Sequence, residues 1–226
     1  MNPIIIFDAS TLISFSMAGL LPELRGLKEK SNVKFIISEA VKKEAIDTPL
    51  KIKRFQLEAL KIKELLDDKV LELPIVLGLD DKLIKTKTQE ILDMANTTIY
   101  GADKDIHLID LGESSALAIS QILNDKKIDN VIAIDERTTR SLAETPNELK
   151  KYLEGKLHSK MTVKQEKVDF FKQFKFIRSV ELIYVAYKKG VLRLKGSENL
   201  SAVLYALKYK GCAVSGKEIQ EIRNLG

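Results

Sequence analysis

The chain contains little cysteine, histidine, glycine or proline, and no tryptophan. Its 226 residues include 11 Gly, 5 Pro, the single cysteine Cys212, and the two histidines His107 and His158. One cysteine excludes an internal disulfide and predicts a reducing, cytoplasmic compartment. It also excludes cysteine-based zinc and iron–sulfur sites, so any bound metal must be held by oxygen. An apolar fraction of 45% with few Gly and Pro excludes collagen-like and disordered chains.

Long apolar runs are also missing, so the sequence predicts no membrane-spanning helix. The apolar N-terminus lacks a basic leader and is interrupted by Asp8, which favours a buried first strand over a signal peptide. The 37 Lys and Arg against 32 Asp and Glu give a net charge of +5. That balance fits a nucleic-acid partner without requiring one. The abundance of Lys and Glu suggests a thermophilic source.

Short apolar runs alternate with amphipathic segments over the first 140 residues. The runs at 4–7, 33–37 and 130–135 are typical of strands buried on both faces, and Ser38 is predicted to cap the helix after the second run. The alternation predicts an α/β fold with a central parallel sheet. Residues 1–226 are expected to form a single domain.

The remaining segments are less regular. Residues 70–76 are predicted to form a short strand, whereas the polar stretches 96–109 and 156–170 are predicted to be loops. Helices dominate the last third of the chain. We therefore expect residues 160–226 to be a helical extension packed on the core, with a helix cap at 215–218.

Four carboxylates fall where active sites form in parallel sheets. Asp8 and Asp135 follow buried apolar runs, and the carboxyl ends of neighbouring parallel strands meet at one edge of the sheet. Glu44 lies on the helix after the second run, and Glu113 begins a later helix. Each also has a structural interpretation, because aspartates often end strands, Glu44 fits a solvated helix face, and Glu113 fits a capping box with Asp110.

These acids occur in the motifs FDASTLI, ISEAVKKEA, LDLGESSALAIS and VIAIDERTTR. In the order and context of these motifs, the chain resembles the PIN-domain ribonucleases. The stretch between Glu44 and Glu113 is longer than in the smallest members, and SVELIYVAYKKG resembles the helical tail of an extended toxin-like subfamily. The resemblance implies a three-layer, Rossmann-like PIN fold with extra C-terminal helices. It also implies a metal-dependent ribonuclease of single-stranded RNA, acting as a toxin of a toxin–antitoxin pair or in RNA processing.

The resemblance also implies roles for individual residues. Four acids would bind Mg²⁺ or Mn²⁺ and serve in catalysis: Asp8, Glu44, Glu113 and Asp135. Ser10 and Thr138 would orient these carboxylates, with helix capping as the alternative. Asp110 would be an extra ligand or only a cap. Gly112 would let the helix that bears Glu113 approach the sheet closely.

Four cations close in sequence to the proposed site are expected to steer the RNA backbone: Lys126, Lys127, Arg137 and Arg140. Arg140 has the alternative of pairing with a site carboxylate. Besides RNA, the expected partners are an antitoxin protein and a second copy of the chain in a homodimer.

Other functions compete with this one. The main alternative is an inactive PIN fold that only binds RNA or protein, which the presence of all four acids disfavours. A DNA-binding regulator would use the two last helices, but the second carries only Lys217 and Arg223 as cations, beside Glu218 and Glu221. A haloacid-dehalogenase-type phosphatase needs a second aspartate after Asp8, and nucleotide binding needs a glycine-rich loop; the sequence has neither.

Overall fold

The structure is a computed structural model that describes residues 2–101, 103–194 and 196–225. The strands are β1 (Ile4–Phe7), β2 (Lys34–Ile37), β3 (Ile99–Gly101), β4 (Lys104–Asp105), β5 (Asn130–Ala133), β6 (Met161–Val163) and β7 (Phe176–Ile177). The helices are α1 (Ala9–Met17), α2 (Leu21–Lys30), α3 (Glu39–Lys42), α4 (Gln56–Asp67), α5 (Asp81–Asn96), α6 (Leu111–Asp125), α7 (Arg137–Glu144), α8 (Pro146–Leu157), α9 (Gln165–Phe171), α10 (Ser179–Lys188), α11 (Ser197–Tyr209) and α12 (Gly216–Asn224). A π-helical turn at Lys43–Asp47 and 3-10 turns at Pro49–Lys51 and Pro74–Leu77 complete the helical segments.

The main sheet has four parallel strands in the order β2–β1–β5–β7. In its centre Ile6 lies between Ile36 and Ile132 on the neighbouring strands. All three side chains are buried, as apolar runs in a sheet covered on both faces require. The prediction of an α/β fold with a central parallel sheet is confirmed.

Helices cover both faces of this sheet. On one face Phe7 and Phe35 meet edge to face at 5.1 Å, within a core that includes α1, α2, α4 and the last three helices. On the other face Ile6, Ile36 and Ile132 pack with α5 to α9. The molecule therefore has three layers, with the sheet in the middle.

The last three helices belong to the first of these cores. Leu182, Leu204 and Leu207 are buried in it, whereas Val185 remains 36% exposed. The cap predicted at 215–218 is present, because Ser215 Oγ accepts the N–H of Glu218 at 3.1 Å. None of the helices in the described ranges has the length and apolar character needed to cross a membrane.

Several short elements differ from the prediction. The expected loop at 156–170 contains β6 and α9, because α9 buries Val168 and Phe171 and β6 pairs with β3. The expected loop at 96–109 contains β3 and β4, which form with β6 a small antiparallel sheet. Residues 160–226 therefore contribute strands as well as helices, and β7 is the fourth strand of the main sheet. Conversely, the expected strand at 70–76 makes only one bridge to β2, at Glu72.

Candidate active site

Three of the predicted acids lie together at the carboxyl edge of the main sheet. Asp8 follows β1, Glu44 lies on the π-helical turn after α3, and Glu113 lies in the first turn of α6. Gly112 lies between Asp8 and Glu44, because a Cβ there would lie 2.5 Å from Glu44 Oε2 and 3.5 Å from Asp8 Oδ1. These two oxygens are thus no more than about 6 Å apart. A side chain at position 112 would occupy the space between the acids.

Asp8 is held by its neighbours in the turn that begins α1. Its carboxylate is only 3% exposed, and its Oδ2 accepts hydrogen bonds from Ser10 Oγ at 2.6 Å and Ser10 N at 3.0 Å. Ser10 Oγ also accepts the N–H of Asp135 at 3.1 Å. The cap of α1 is thus Asp8 itself, and the Ser10 hydroxyl fixes the Asp8 carboxylate and links the ends of β1 and β5.

Glu113 is oriented by the start of its own helix. Its carboxylate accepts the N–H of Asp110 at 2.5 Å, which is one half of the capping box that the sequence suggested. The Asp110 carboxylate is exposed to solvent and lies 2.8 Å from His107 Nε2. Glu113 therefore acts as a cap and also belongs to the group of acids around Gly112.

Burial and mutual repulsion raise the pKa of each of these acids. Burial is the main cause for Asp8, although hydrogen bonds from Ser10 and Ala9 oppose it. Burial and the charge of Asp8 raise the pKa of Glu44. The same two causes raise the pKa of Glu113 to about 8. Because each charge disfavours ionisation of the next, the acids behave as one electrostatic unit.

Glu136 also belongs to this unit and is not among the predicted acids. Its charge raises the pKa of both Asp8 and Glu113, and its Oε2 accepts the N–H of Thr139 as the cap of α7. The sequence feature that could have identified Glu136 is its position directly after Asp135, in the turn that follows β5. We refer to Asp8, Glu44, Glu113 and Glu136 as the acid cluster.

Asp135 is placed differently from the other predicted acids. It is fully buried, and its Oδ1 accepts the N–H of Ser179 at the start of α10, at 2.7 Å. The Cys212 thiol lies on the same side: burial, together with the charge of Asp135, raises the pKa of Cys212 to about 12. Ser10 and Ala213 hold the main chain of Asp135 from two directions. Asp135 Oδ1 therefore faces α10, whereas Asp135 Oδ2 is buried without a hydrogen-bond partner among the described residues. A catalytic or metal-binding part for Asp135 beside the other three acids stays a prediction.

The predicted RNA-binding cations and Thr138 are spread over the molecule. Lys126 and Lys127 follow the last turn of α6, about 20 Å from its Glu113 end, at the amino edge of the sheet. They do not flank the acids. Thr138 lies in the first turn of α7, where the cap is Glu136.

The two predicted arginines lie on α7, near the acid cluster, and have other contacts. Arg137 lies over the ring of Tyr152 at 5.6 Å. Arg140 donates to the carbonyl of Ala213 at 3.1 Å and approaches Glu144 at 4.0 Å. Its Nε also donates to the main-chain carbonyl of Glu136 at 3.4 Å, and among the described residues its ion pair is with Glu144 rather than with a carboxylate of the cluster. A role of these four cations in RNA binding remains a prediction.

Comparisons with known proteins give no assignment. No family model, curated protein or solved structure matches the chain. The fold and the acid cluster therefore carry the functional argument.

The acid cluster has the donor chemistry of a hard-cation site. Across residues 2–101, 103–194 and 196–225, no three His, Cys, Asp or Glu side chains form a ready-made metal site. The cluster nevertheless presents only carboxylate oxygens, which are the donors that Mg²⁺ and Mn²⁺ prefer. The ion pairs of the described residues include none to any member of the cluster. A divalent cation at the cluster stays a prediction, which this donor chemistry and the absence of a cationic side chain beside the acids support.

Proposed function

We propose that the protein is a metal-dependent endoribonuclease of the PIN type that hydrolyses phosphodiester bonds of single-stranded RNA. The observation that carries the proposal is the grouping of Asp8, Glu44 and Glu113 around Gly112, without a cationic partner among the described residues. The group lies at the carboxyl edge of a parallel sheet, which is where α/β proteins place their active sites.

The chain's own residues prepare this site in three ways. The Ser10 hydroxyl fixes the Asp8 carboxylate, the start of α6 fixes Glu113, and Gly112 leaves room between Asp8 and Glu44. Asp8, Glu44 and Glu113 would hold Mg²⁺ or Mn²⁺. The bound ion supplies the positive charge that activates water and stabilises the leaving oxygen in phosphodiester hydrolysis.

The alternative function is a PIN-like module that binds RNA or protein without cleavage. A toxin role with an antitoxin partner, a role in RNA processing, and a homodimer all stay within the proposal. The DNA-binding alternative is disfavoured by α12, which buries Ile219 and Ile222 in the core. Its Glu218 is bound to Arg178 at 2.5 Å, so this helix serves packing rather than groove recognition.

A cleavage assay with matched variants tests the proposal. We expect the purified protein to cut a fluorescent single-stranded RNA when Mg²⁺ or Mn²⁺ is present. Cleavage should stop when EDTA is added. Asp8→Asn should reduce the rate by about 100-fold or more, because it removes a charge from the cluster and little volume. Asp129→Asn is the control, since this exposed aspartate precedes β5 at the opposite edge of the sheet. Equal cleavage by wild type and Asp8→Asn would refute the proposal, and RNA binding without cleavage at any metal concentration would favour the binding module.

A further inference from the structure

The surface formed by the start of α4 and the segment before it has an unusual composition. From Lys51 to Lys63 the sequence contains five cations and one acid, Glu58. Large apolar side chains stand exposed among the cations: Ile52 at 44%, Phe55 at 46%, Leu57 at 58% and Leu60 at 49%. We call residues 51–61 the Lys51–Lys61 face.

The cations of this face are available to a ligand. Among the ion pairs of the described residues, Lys63 is bound to Asp67, but Lys51, Lys53, Arg54 and Lys61 have no carboxylate partner. Lys53 makes only a long contact of 3.4 Å to Gln56. The charge of the face is therefore positive and not neutralised within the described chain.

An exposed aromatic ring lies among these cations. The Arg54 guanidinium lies 5.4 Å from the centre of the Phe55 ring. An aromatic face beside unpaired cations is how proteins bind single-stranded nucleic acid, because a base stacks on the ring while the cations contact phosphates. An acidic peptide would satisfy the charge but would leave the ring without a specific role.

The Lys51–Lys61 face follows Glu44 closely along the chain. Glu44 lies on the π-helical turn Lys43–Asp47, and successive hydrogen-bonded turns lead from Lys43 to Thr48, Thr48 to Lys51, and Ile52 to Phe55. The 3-10 turn and α4 both pack against the π-helical turn. A short hydrogen-bonded segment therefore joins this face to the turn that carries Glu44.

We propose that the Lys51–Lys61 face binds single-stranded RNA, with one base on Phe55 and phosphates at Lys51, Lys53 and Arg54. This inference rests on the proposed ribonuclease function and assigns the substrate surface to a different region from the cations that the sequence indicated. Lys126 and Lys127, at the amino edge of the sheet, lie outside it.

The test measures binding separately from cleavage. Binding of a fluorescent 12-nucleotide oligouridylate is followed by anisotropy in EDTA over a range of salt concentrations. Lys51→Gln/Lys53→Gln/Arg54→Gln should reduce the salt slope by about 2, since each phosphate contact contributes about 0.7 on a single strand. Lys126→Gln/Lys127→Gln/Lys175→Gln is the control with equal charge change, and it should leave the slope unchanged.

A second variant tests the aromatic contact. Phe55→Leu keeps an apolar side chain and should weaken binding about tenfold at every salt concentration, because base stacking is lost. Tyr209→Leu, at another exposed ring, should have no effect. The inference is wrong if both triple variants lose affinity for RNA equally. It is also wrong if poly-glutamate displaces the labelled RNA as well as unlabelled RNA does and Phe55→Leu binds RNA normally. Cleavage is measured in parallel with Mn²⁺. If the variants of the Lys51–Lys61 face bind and cleave RNA as well as wild type, this inference alone is wrong. If wild type never cleaves RNA but its RNA binding is weakened by these variants, only the ribonuclease proposal is wrong.

Discussion

Gly112→Ala should separate stability from function. The added Cβ would lie 2.5 Å from Glu44 Oε2, so this oxygen must retreat by about 0.9 Å to reach an ordinary contact of 3.4 Å. Since the obstructing atom is the free end of a side chain, Glu44 can move at little cost. Alanine also favours a helix over glycine by up to about 1 kcal/mol. We therefore expect the free energy of unfolding to change by less than about 1 kcal/mol.

The effect on the acid cluster should be much larger. A displacement of about 1 Å of a group that positions the reaction can cost about 100-fold in rate. We expect RNA cleavage to fall by this order, measured as kcat/KM with Mn²⁺, with unfolding followed in urea.

Gly155→Ala in α8 is the matched control, because a Cβ there meets nothing within 4 Å. It should gain some stability and retain full cleavage. If Gly112→Ala keeps full activity, or if it loses activity only in proportion to unfolding, the role we assign to this close approach is wrong.

Three further outcomes follow from the same geometry. The pKa of Glu113 in the folded protein, about 8, exceeds its ordinary value of 4.5, so ionisation of Glu113 should lower the free energy of unfolding as the pH rises between these values. In EDTA at pH 8, Glu113→Gln should therefore be more stable than wild type by on the order of 3 kcal/mol. Near pH 4 the two proteins should be equally stable. Asp135→Ala leaves the N–H of Ser179 without its acceptor, so the free energy of unfolding measured in urea should fall by about 1–3 kcal/mol. Cleavage per folded molecule should be retained. Loss of cleavage at normal stability would instead make Asp135 catalytic. The buried Cys212 thiol, whose pKa is about 12, should react with a thiol reagent at pH 8 only as fast as the protein unfolds. Rapid labelling of the native protein would contradict the burial of Cys212.

The sequence predicted those parts of the fold in which burial leaves a clear pattern. The apolar run before Asp8 fits a strand in a sheet that is covered on both faces, which is where it lies. Ser38 caps its helix by accepting the N–H of Val41, as expected. The segment 156–170 had no such pattern. Its strand β6 has three residues and depends on pairing with β3, a distant contact that local periodicity does not reveal.

The acid cluster could be predicted only in part for a similar reason. Asp8, Glu44 and Glu113 were recognised from their motifs. The main chain of Asp135 is held by Ser10 and Ala213, both distant in sequence, so the direction of its side chain could not be predicted from motif spacing. Lys126 was near Asp135 in sequence, but β5 lies between them and carries the chain to the opposite edge of the sheet.

The loop at Ala213 bonds the turn beside the acid cluster although it lies near the end of the chain. Its N–H donates to the carbonyl of Asp135, and its own carbonyl accepts from Arg140 and Arg178, so it ties the turn after β5 to the last helices. During synthesis a chain folds from its N-terminus, and Asp8, Glu44 and Glu113 leave the ribosome long before residue 213 does. The turn that carries Glu136 acquires its final bonds only then. The bonds that join this turn to the last helices are therefore among the last to form as the chain is made.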